Sequence, residues 1–480
     1  MRRIRTTLCG TLLALSLPVT GLAASQPAQA AQVTVTNGTQ FTDTTGAVVH
    51  AHGGGVLKVG QYYYWFGEDR NADNTFRYVS AYRSTDLKTW EFRNHVLTQA
   101  TDPELGYANI ERPKVMYNAA TGQFVMWMHK ENGNDYGEAR AAVAVSSTVD
   151  GDYSWRGSFR PLGEMSRDIT TFVDDDGTGY MISASNENRD LHVYRLTADF
   201  TGIDAQVQSL WNGWSREAPA MFKRGGVYFL LTSGATGWAP NQQMYATASS
   251  VTGSWSGLSD IGDGVTYGSQ TAYVLPVQGT SGTGYLYMGD RWGNSMGGTV
   301  QDSQYVWLPL KFPTATTMTM GASPQITVDT ATGTVAGLNA TWESLTGRQS
   351  GKCADVSDYA FGQGARAIQW SCGNGANQNY WFKSAGNGYV QLMARHSGKC
   401  LEVNGASTAD GALVVQNTCS AATSQQWQVQ KVDNTYVRLI ARHSGKCLDV
   451  TNQSTANGTA LEQWTCNTGT NQQWKRTTVS

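Results

Sequence analysis

The chain has 480 residues, longer than one hydrophobic core supports, so two domains are expected. With 35 basic against 37 acidic residues and no long run of either sign, it offers no electrostatic case for binding nucleic acid or an anionic membrane. Charged residues make up only 15%, while 53 residues are glycine and 11% are aromatic, a balance that points to an all-β chain rich in tight turns.

The N-terminus reads as an address. Arg2, Arg3 and Arg5 precede an apolar run from Leu8 to Leu22, and Ala28-Gln29-Ala30 is a small-x-small cleavage site, so residues 1–30 are assigned to a signal peptide. The twin arginines lack the flanking pattern of the twin-arginine route, which leaves general secretion. No later stretch is long and apolar enough to span a bilayer. A secreted, extracellular monomer is expected.

From His50 onward one phrase recurs five times, at intervals of roughly fifty residues, the range of propeller blades. Each copy starts on a polar residue, enters a short strand, turns at small residues and continues into an aromatic strand. The copies begin at His50-Ala51-His52, Glu111-Arg112-Pro113, Asp168-Ile169-Thr170, Ser215-Arg216-Glu217-Ala218-Pro219 and Gln270-Thr271-Ala272. Trp90, Trp155 and Trp255 each follow a polar turn and are assigned to packing between repeats. Short strands of period two in five repeats predict a five-bladed β-propeller over 31–335.

In such a propeller the first strand of every blade runs beside the central channel, so His52, Glu111, Asp168, Glu217 and Gln270 should meet at one mouth. Three acids brought together from distant parts of a chain are costly unless used. Crowded carboxylates raise one pKa and keep an acid protonated at neutral pH, which suits glycoside hydrolysis. A cation site is the rival use of the same acids. The Asp174-Asp175-Asp176-Gly177 run lacks the spacing and distal Glu of an EF loop and is assigned to a turn. Glu68, Tyr136, Asn188, Thr236 and Trp238 follow inner strands and are candidate substrate contacts, Trp238 as a sugar platform. Arg112 is assigned to fixing a neighbouring carboxylate.

The Ser84-Thr85-Asp86-Leu87-Lys88-Thr89-Trp90 turn, Glu111-Arg112-Pro113 and Arg216-Glu217-Ala218-Pro219 together resemble glycoside hydrolase family 43. That resemblance implies an inverting enzyme on a five-bladed propeller, with Asp168 tuning and positioning and Glu217 as general acid. His52-Gly53-Gly54-Gly55 departs from the Asp-Pro that most members carry in the first blade. This phrase, with Phe66-Gly67-Glu68-Asp69 and Gly268-Ser269-Gln270-Thr271-Ala272-Tyr273, resembles the exo-β-1,3-galactanase branch. The branch implies Gln270 holding the attacking water and Glu111 supporting it or binding galactose. It also implies no required cofactor and no catalytic metal, with a structural calcium ion compatible with the channel. Other family 43 exo-glycosidases acting on arabinose or xylose, and an inactive carbohydrate-binding protein, are the alternatives.

After a Thr/Ala/Gly-rich linker running to about Asn339, Ser-Gly-Lys-Cys recurs at Cys353, Cys400 and Cys447. Six cysteines at equal spacing in an exported chain predict three local disulfides: Cys353/Cys372, Cys400/Cys419 and Cys447/Cys466. The repeats, each ending near Gln-x-Trp or a close variant (Gln378 to Trp381, Gln425 to Trp427, Gln472 to Trp474), resemble the ricin-type β-trefoil of carbohydrate-binding module family 13, over 340–480. In that family the Trp is core, and a sugar-binding lobe needs an Asp, an aromatic platform two residues before the second Cys, and an Asn-Gln pair. The first lobe matches with Asp355, Trp370, Asn377 and Gln378, and the third with Asp449, Trp464, Asn471 and Gln472. The second has Glu402, Asn417, Ser424 and Gln425, and is expected to be weak or silent. The expected partner is a polysaccharide, β-1,3-galactan or arabinogalactan, held at two weak sites for avidity.

Overall fold

The computed structural model describes residues 32–373 and 375–479, so the segment assigned to the signal peptide lies outside the described residues. Five antiparallel four-stranded sheets follow one another, each built from consecutive strands joined by hairpins. Their first strands are His52–Val59, Asn109–Asn118, Ile169–Val173, Arg216–Arg224 and Gln270–Gly279. These first strands are neighbours in that order, and the fifth lies beside the first. The Asp174–Gly177 run is the turn of the third sheet's opening hairpin.

An apolar seam fills the space between each adjacent pair of sheets. Phe66 and Val79 meet Met126, Met128 and Tyr153 between the first and second. Trp127 and Val143 meet Met181 and Tyr194 between the second and third. Ile182 and Val193 meet Tyr228 and Leu230 next, then Phe222 and Phe229 meet Tyr287 and Leu308. The circle closes where Trp65 and Trp90 pack on Leu275, Tyr305 and Trp307. Both faces of each sheet are therefore covered, which suits central strands that are apolar almost throughout. Trp90, Trp155 and Trp255 sit in these seams, as packing residues would.

The linker is more ordered than its composition suggests. Thr319–Met320 is the fifth sheet's outer strand, and Gln325–Asp329 lies between Thr334–Gly337 and the N-terminal strand Val33–Thr36 in a separate small sheet.

Twelve strands from Trp342–Gly347 to Trp474–Val479 form the second unit, around a core that includes Tyr380, Trp427 and Trp474. All three expected disulfides are present: Cys353 is bonded to Cys372, Cys400 to Cys419 and Cys447 to Cys466. The two ends of each bridge sit differently. Cys353, Cys400 and Cys447 each open a strand and are buried, whereas Cys372 is exposed and Cys419 and Cys466 are half-buried in the loop beyond the partner strand. Each bridge therefore pins a surface loop to the core.

The first repeat corrects the sequence reading. Tyr380, two residues beyond Gln378, is fully buried, whereas Trp381 is only partly so. The period places residue i+2 of the Gln in the core whatever its type, and in this repeat that residue is tyrosine. Among the described residues no helix is long and apolar enough to cross a membrane.

Candidate active site

Three of the five first strands break their ladder immediately after the residue expected to do chemistry. Register shifts fall between His52 and Gly55, Glu111 and Lys114, and Glu217 and Ala220; the fifth strand shifts between Thr271 and Tyr273. In the first three the next residue turns left-handed: Gly53 at φ 61°, Arg112 at 52° and Ala218 at 51°. A β-bulge re-aims the side chain before it, and left-handed backbone at non-glycine residues is strain that surroundings must hold. They do so with acids from the preceding sheet. The Gly53 N–H donates to Asp290 (2.8 Å), that of Arg112 to Glu68 (3.1 Å) and that of Ala218 to Asp168 (3.0 Å).

The result is a cavity of about 310 Å³ whose wall includes Glu111, Arg112, Asp168, Asn188, Glu217 and Gln270. Trp238, Tyr136 and Glu68 line it too, but Thr236 does not; its hydroxyl turns to the Ala239 carbonyl within its own loop. His52 is also outside the wall, buried between Asp290 (3.1 Å) and the stacked ring of Tyr305. The bulge turns its imidazole toward the first and fifth sheets' shared seam. Glu68 faces the cavity only nominally, because its oxygens are taken by the Arg112 N–H and by Arg70 (2.7 Å).

The acids of the cavity differ in charge state. Burial, aided by the nearby charge of Asp168, pushes the Glu217 carboxyl up to about 8. Its two oxygens accept only from neutral amides, Asn188 (2.8 Å) and Gln270 (2.9 Å). Burial acts on Glu111 as well, but there the Arg70 guanidinium and a hydrogen bond from His129 overcome it and hold the carboxyl far below the usual range. Glu111 accepts from Arg70 (2.7 Å), Tyr136 (2.7 Å) and His129 (3.0 Å). His129 spans Glu111 and Glu131 (2.7 Å), and hydrogen bonds to these two carboxylates outweigh burial and push the imidazole up to about 9. One carboxyl is thus kept protonated and the other ionised at neutral pH.

Gln270 is saturated. Its oxygen accepts from Arg112 (2.7 Å) and Trp292 (2.8 Å), and its nitrogen donates to Glu217 and to Ser233 (2.9 Å). Arginine and the indole can only donate, so the amide orientation is unambiguous. Both hydrogen-bonding positions on each end are filled. An imidic tautomer would turn an O–H toward two donors.

Asp168 holds Ala218 N–H and the Arg112 guanidinium (2.9 Å) on one oxygen. Arg70, His129 and Trp292 complete the site and were not singled out in the sequence. Glu111, His129 and Asp168 also bring three donor atoms within 4.8 Å of one another. They do not fit a metal: an imidazolium bonded through both nitrogens has no lone pair to give, and calcium needs six to eight oxygens. Beneath the site the buried Lys114 donates to the Gly53 carbonyl (2.5 Å), and burial together with the nearby Arg112 charge brings its amine down to about 7.

In the second unit, Asn377 and Gln378 hold Asp355 (2.9 and 2.8 Å) beside the exposed Trp370. Asn471 and Gln472 hold Asp449 (2.8 and 2.7 Å) beside the exposed Trp464. Gln378 and Gln472 are buried, and each also accepts a backbone N–H, so they fix the Asp rather than reach outward. In the second repeat Asn417, Ser424 and Gln425 all turn onto Glu402, with no aromatic platform. The bridged cysteines belong to the scaffold and not to a binding surface. Cys372 and Cys419 line neither the first unit's cavity nor the first lobe's pocket, and their sulfurs lie against the Gly351 and Gly398 carbonyls (3.6 and 3.5 Å). Cys372 acts on its lobe only at second hand, by fixing the loop two residues past Trp370.

A protonated carboxyl and an ionised one facing a single polar cavity, with a separate sugar-type lobe structure behind, define a carboxylate glycosidase joined to a carbohydrate-binding domain. Residues 52–260 match the model of glycosyl hydrolases family 43, and 341–474 that of the ricin-type beta-trefoil lectin domain. A solved exo-β-1,3-galactanase from Clostridium thermocellum is 46% identical, with 93% of this chain and all of that one covered and a TM-score of 0.66. An exo-β-1,3-galactanase from Phanerochaete chrysosporium, solved with galactose, is 29% identical over 93% of each chain, with a TM-score of 0.63. A variant of it was solved with β-1,3-galactotriose. No curated protein matches the chain. The chain belongs to glycoside hydrolase family 43, and it is a glycoside hydrolase with a ricin-type β-trefoil appended.

Proposed function

We propose that this protein is a secreted exo-β-1,3-galactanase that removes galactose from the non-reducing end of the galactan backbone of arabinogalactan, with inversion. In this reading the five sheets are the blades of one propeller, and the trefoil keeps the enzyme on its polymer. The observation that carries it is the split between Glu217, protonated at neutral pH, and Glu111, ionised in the same cavity. The likeness to solved exo-β-1,3-galactanases supports the choice of substrate. Two intact carboxyls of opposite charge state argue against an inactive binding protein.

Glu217 gives its proton to the leaving glycosidic oxygen as the bond to the anomeric carbon breaks. Asp168 and Gln270 aim it, the first through the Ala218 N–H and the second through its own amide. The transition state is oxocarbenium-like, so the incoming water needs alignment and negative charge nearby more than a strong base. Glu111 offers both. Three donors leave it one acceptor position. Glu111 orients the water there and takes its proton once bonding to the anomeric carbon has made that oxygen strongly acidic, then releases the proton to solvent, from which Glu217 is reprotonated. Gln270, with no position left, is assigned to the acid rather than to the water. Trp238, set edge-on to Trp292 at 5.2 Å, gives the sugar an aromatic wall.

Product analysis on β-1,3-galactan beside arabinan and xylan tests the substrate, with galactose released only from the first; pentose release as the main product would refute it. Proton NMR of the new anomer tests inversion. Azide should restore turnover to Glu111→Ala and give α-galactosyl azide. Rescue of Gln270→Ala in place of Glu111→Ala would return the water to Gln270.

A further inference from the structure

Gln270 is reached by a strained approach. Thr266, Tyr267 and Gly268 are consecutive left-handed residues, at φ 46°, 55° and 71°, leading into Ser269 and Gln270. Non-glycine residues hold that conformation only when their surroundings over-determine it. Within the first unit Asp263 does part of this, accepting the N–H groups of Val265 (3.2 Å) and Tyr267 (2.7 Å). Arg291 does more. It is buried at the end of the strand that pairs with Gln270's own, and it donates to the carbonyls of Gly268 (3.2 Å) and Tyr267 (2.9 Å). Its chain neighbours both serve the site: Asp290 holds His52 and the Gly53 bulge, and Trp292 donates to the Gln270 oxygen.

The rest of the clasp comes from the trefoil. The Arg291 guanidinium lies 4.3 Å from the centre of the Phe361 ring, the cation–π arrangement of a desolvated arginine. Gly268 backs onto the same ring so closely that any side chain there would run into it. Tyr359, two residues earlier, donates to the free oxygen of Asp263, and His396 packs on both rings while bonding the Ala360 carbonyl (2.9 Å). Tyr359 and Ala360 also line the first lobe's sugar pocket with Asp355 and Trp370. Among the described residues Arg291 has no carboxylate partner, so Phe361 is the group that covers this buried cation from the trefoil side.

We propose that the trefoil is a working part of the active site: Phe361 and Tyr359 clamp Arg291 and the Asp263–Ser269 turn, and so hold Trp292 and Gln270 in register with Glu217. Phe361 is a positioning residue, acting through Arg291. The inference rests on the reading that Gln270 and Glu217 carry the chemistry.

The test uses the full chain and β-1,3-galactobiose, a substrate of the active site alone. Phe361→Ala, and Phe361→Leu, which keeps apolar bulk and loses the ring face, should lower kcat about 10- to 100-fold with KM within about twofold, as misplaced catalytic groups do. Phe361→Tyr should restore kcat. Tyr389→Ala, which removes a ring from Arg442 inside the trefoil, is the control and should leave kcat unchanged. Amide hydrogen exchange should quicken in segments 266–270 and 290–293, and stay unchanged in 111–118. An unaltered kcat in both Phe361→Ala and Phe361→Leu overturns the proposal. If the wild-type chain does not split galactobiose, the galactanase reading fails, and exchange alone decides: faster exchange in the two segments sustains the clamp, and unaltered exchange overturns it.

Discussion

Glu217→Gln separates the catalytic value of the acid from its cost to the fold. The carboxyl is 6% exposed and holds its proton up to about pH 8, against an ordinary value of 4.5. Between those values the folded state binds a proton that the unfolded chain has released, so stability falls as pH rises from 4.5 toward 8. At pH 7 the penalty works out at about 3 kcal/mol, from 1.36 kcal/mol per pH unit. An uncharged amide at this position avoids it. The substitution also fits locally. Asn188 donates to Glu217 while its own buried oxygen has no partner, so a flip of that side chain presents an acceptor to the new NH2. The expected result is loss of activity by about 10²- to 10⁴-fold, the usual worth of a general acid. The first unit's thermal midpoint should rise by about 5 °C at pH 7, with the gain vanishing near pH 4.5. Calorimetry at both pH values reads this. An equal shift at pH 4.5, or none at pH 7, would refute the protonated-acid reasoning.

Other outcomes follow from the same contacts. Activity of the wild type should decline on the alkaline side as pH passes about 8 and Glu217 ionises. Because the Gln270 hydrogen bond favours the ionised form, Gln270→Ala should move that limb upward, as a kcat profile would show. His129→Leu strips the cation from between Glu111 and Glu131; activity should collapse and stability should drop by about 3–5 kcal/mol, measured by urea denaturation. Trp370→Ala and Trp464→Ala should each weaken retention on insoluble galactan, and the double variant should abolish it, while Asn417→Ala leaves it intact. Replacing Cys447 and Cys466 by serine opens a loop of 19 residues and should cost the trefoil about 3 kcal/mol.

The acids were legible because each opens a repeat with a polar residue ahead of an apolar strand, and repetition turned single residues into a set. Their partners were equally available through hairpin register, which sets Glu111 opposite His129 and Gln270 opposite Asp290, one residue from Arg291. Without the turn lengths counted, Arg70, His129 and Trp292 stayed hidden. The bulges had a written signal as well. Pro113 and Pro219 each sit two residues after an acid, in the interior of a strand that pairs on one side only. Proline within a strand marks an edge or a bulge; here both hold, since each falls where the ladder is broken. The bridges of Cys372 and Cys419 to their partners were legible from equal spacing, but not that these two ends sit in loops outside the core. Saturation of Gln270 was not readable, since Arg112 reaches it from the second sheet and Trp292 from the turn after the strand ending at Arg291. Nor was the contact between the domains, because Phe361 and Arg291 belong to separate repeats with no shared pattern.

The small sheet beside the first unit has a bearing on the order of assembly. Val33 finds its partner at Val328, so the first strand among the described residues waits during synthesis for nearly the last segment before the trefoil. Such distant pairing is slow, because loop closure must precede its reward. The N-terminal strand therefore acts as the final latch on the circle of sheets. A truncated chain ending before Gln325 should retain most seams and still open readily at the junction of the first and fifth sheets.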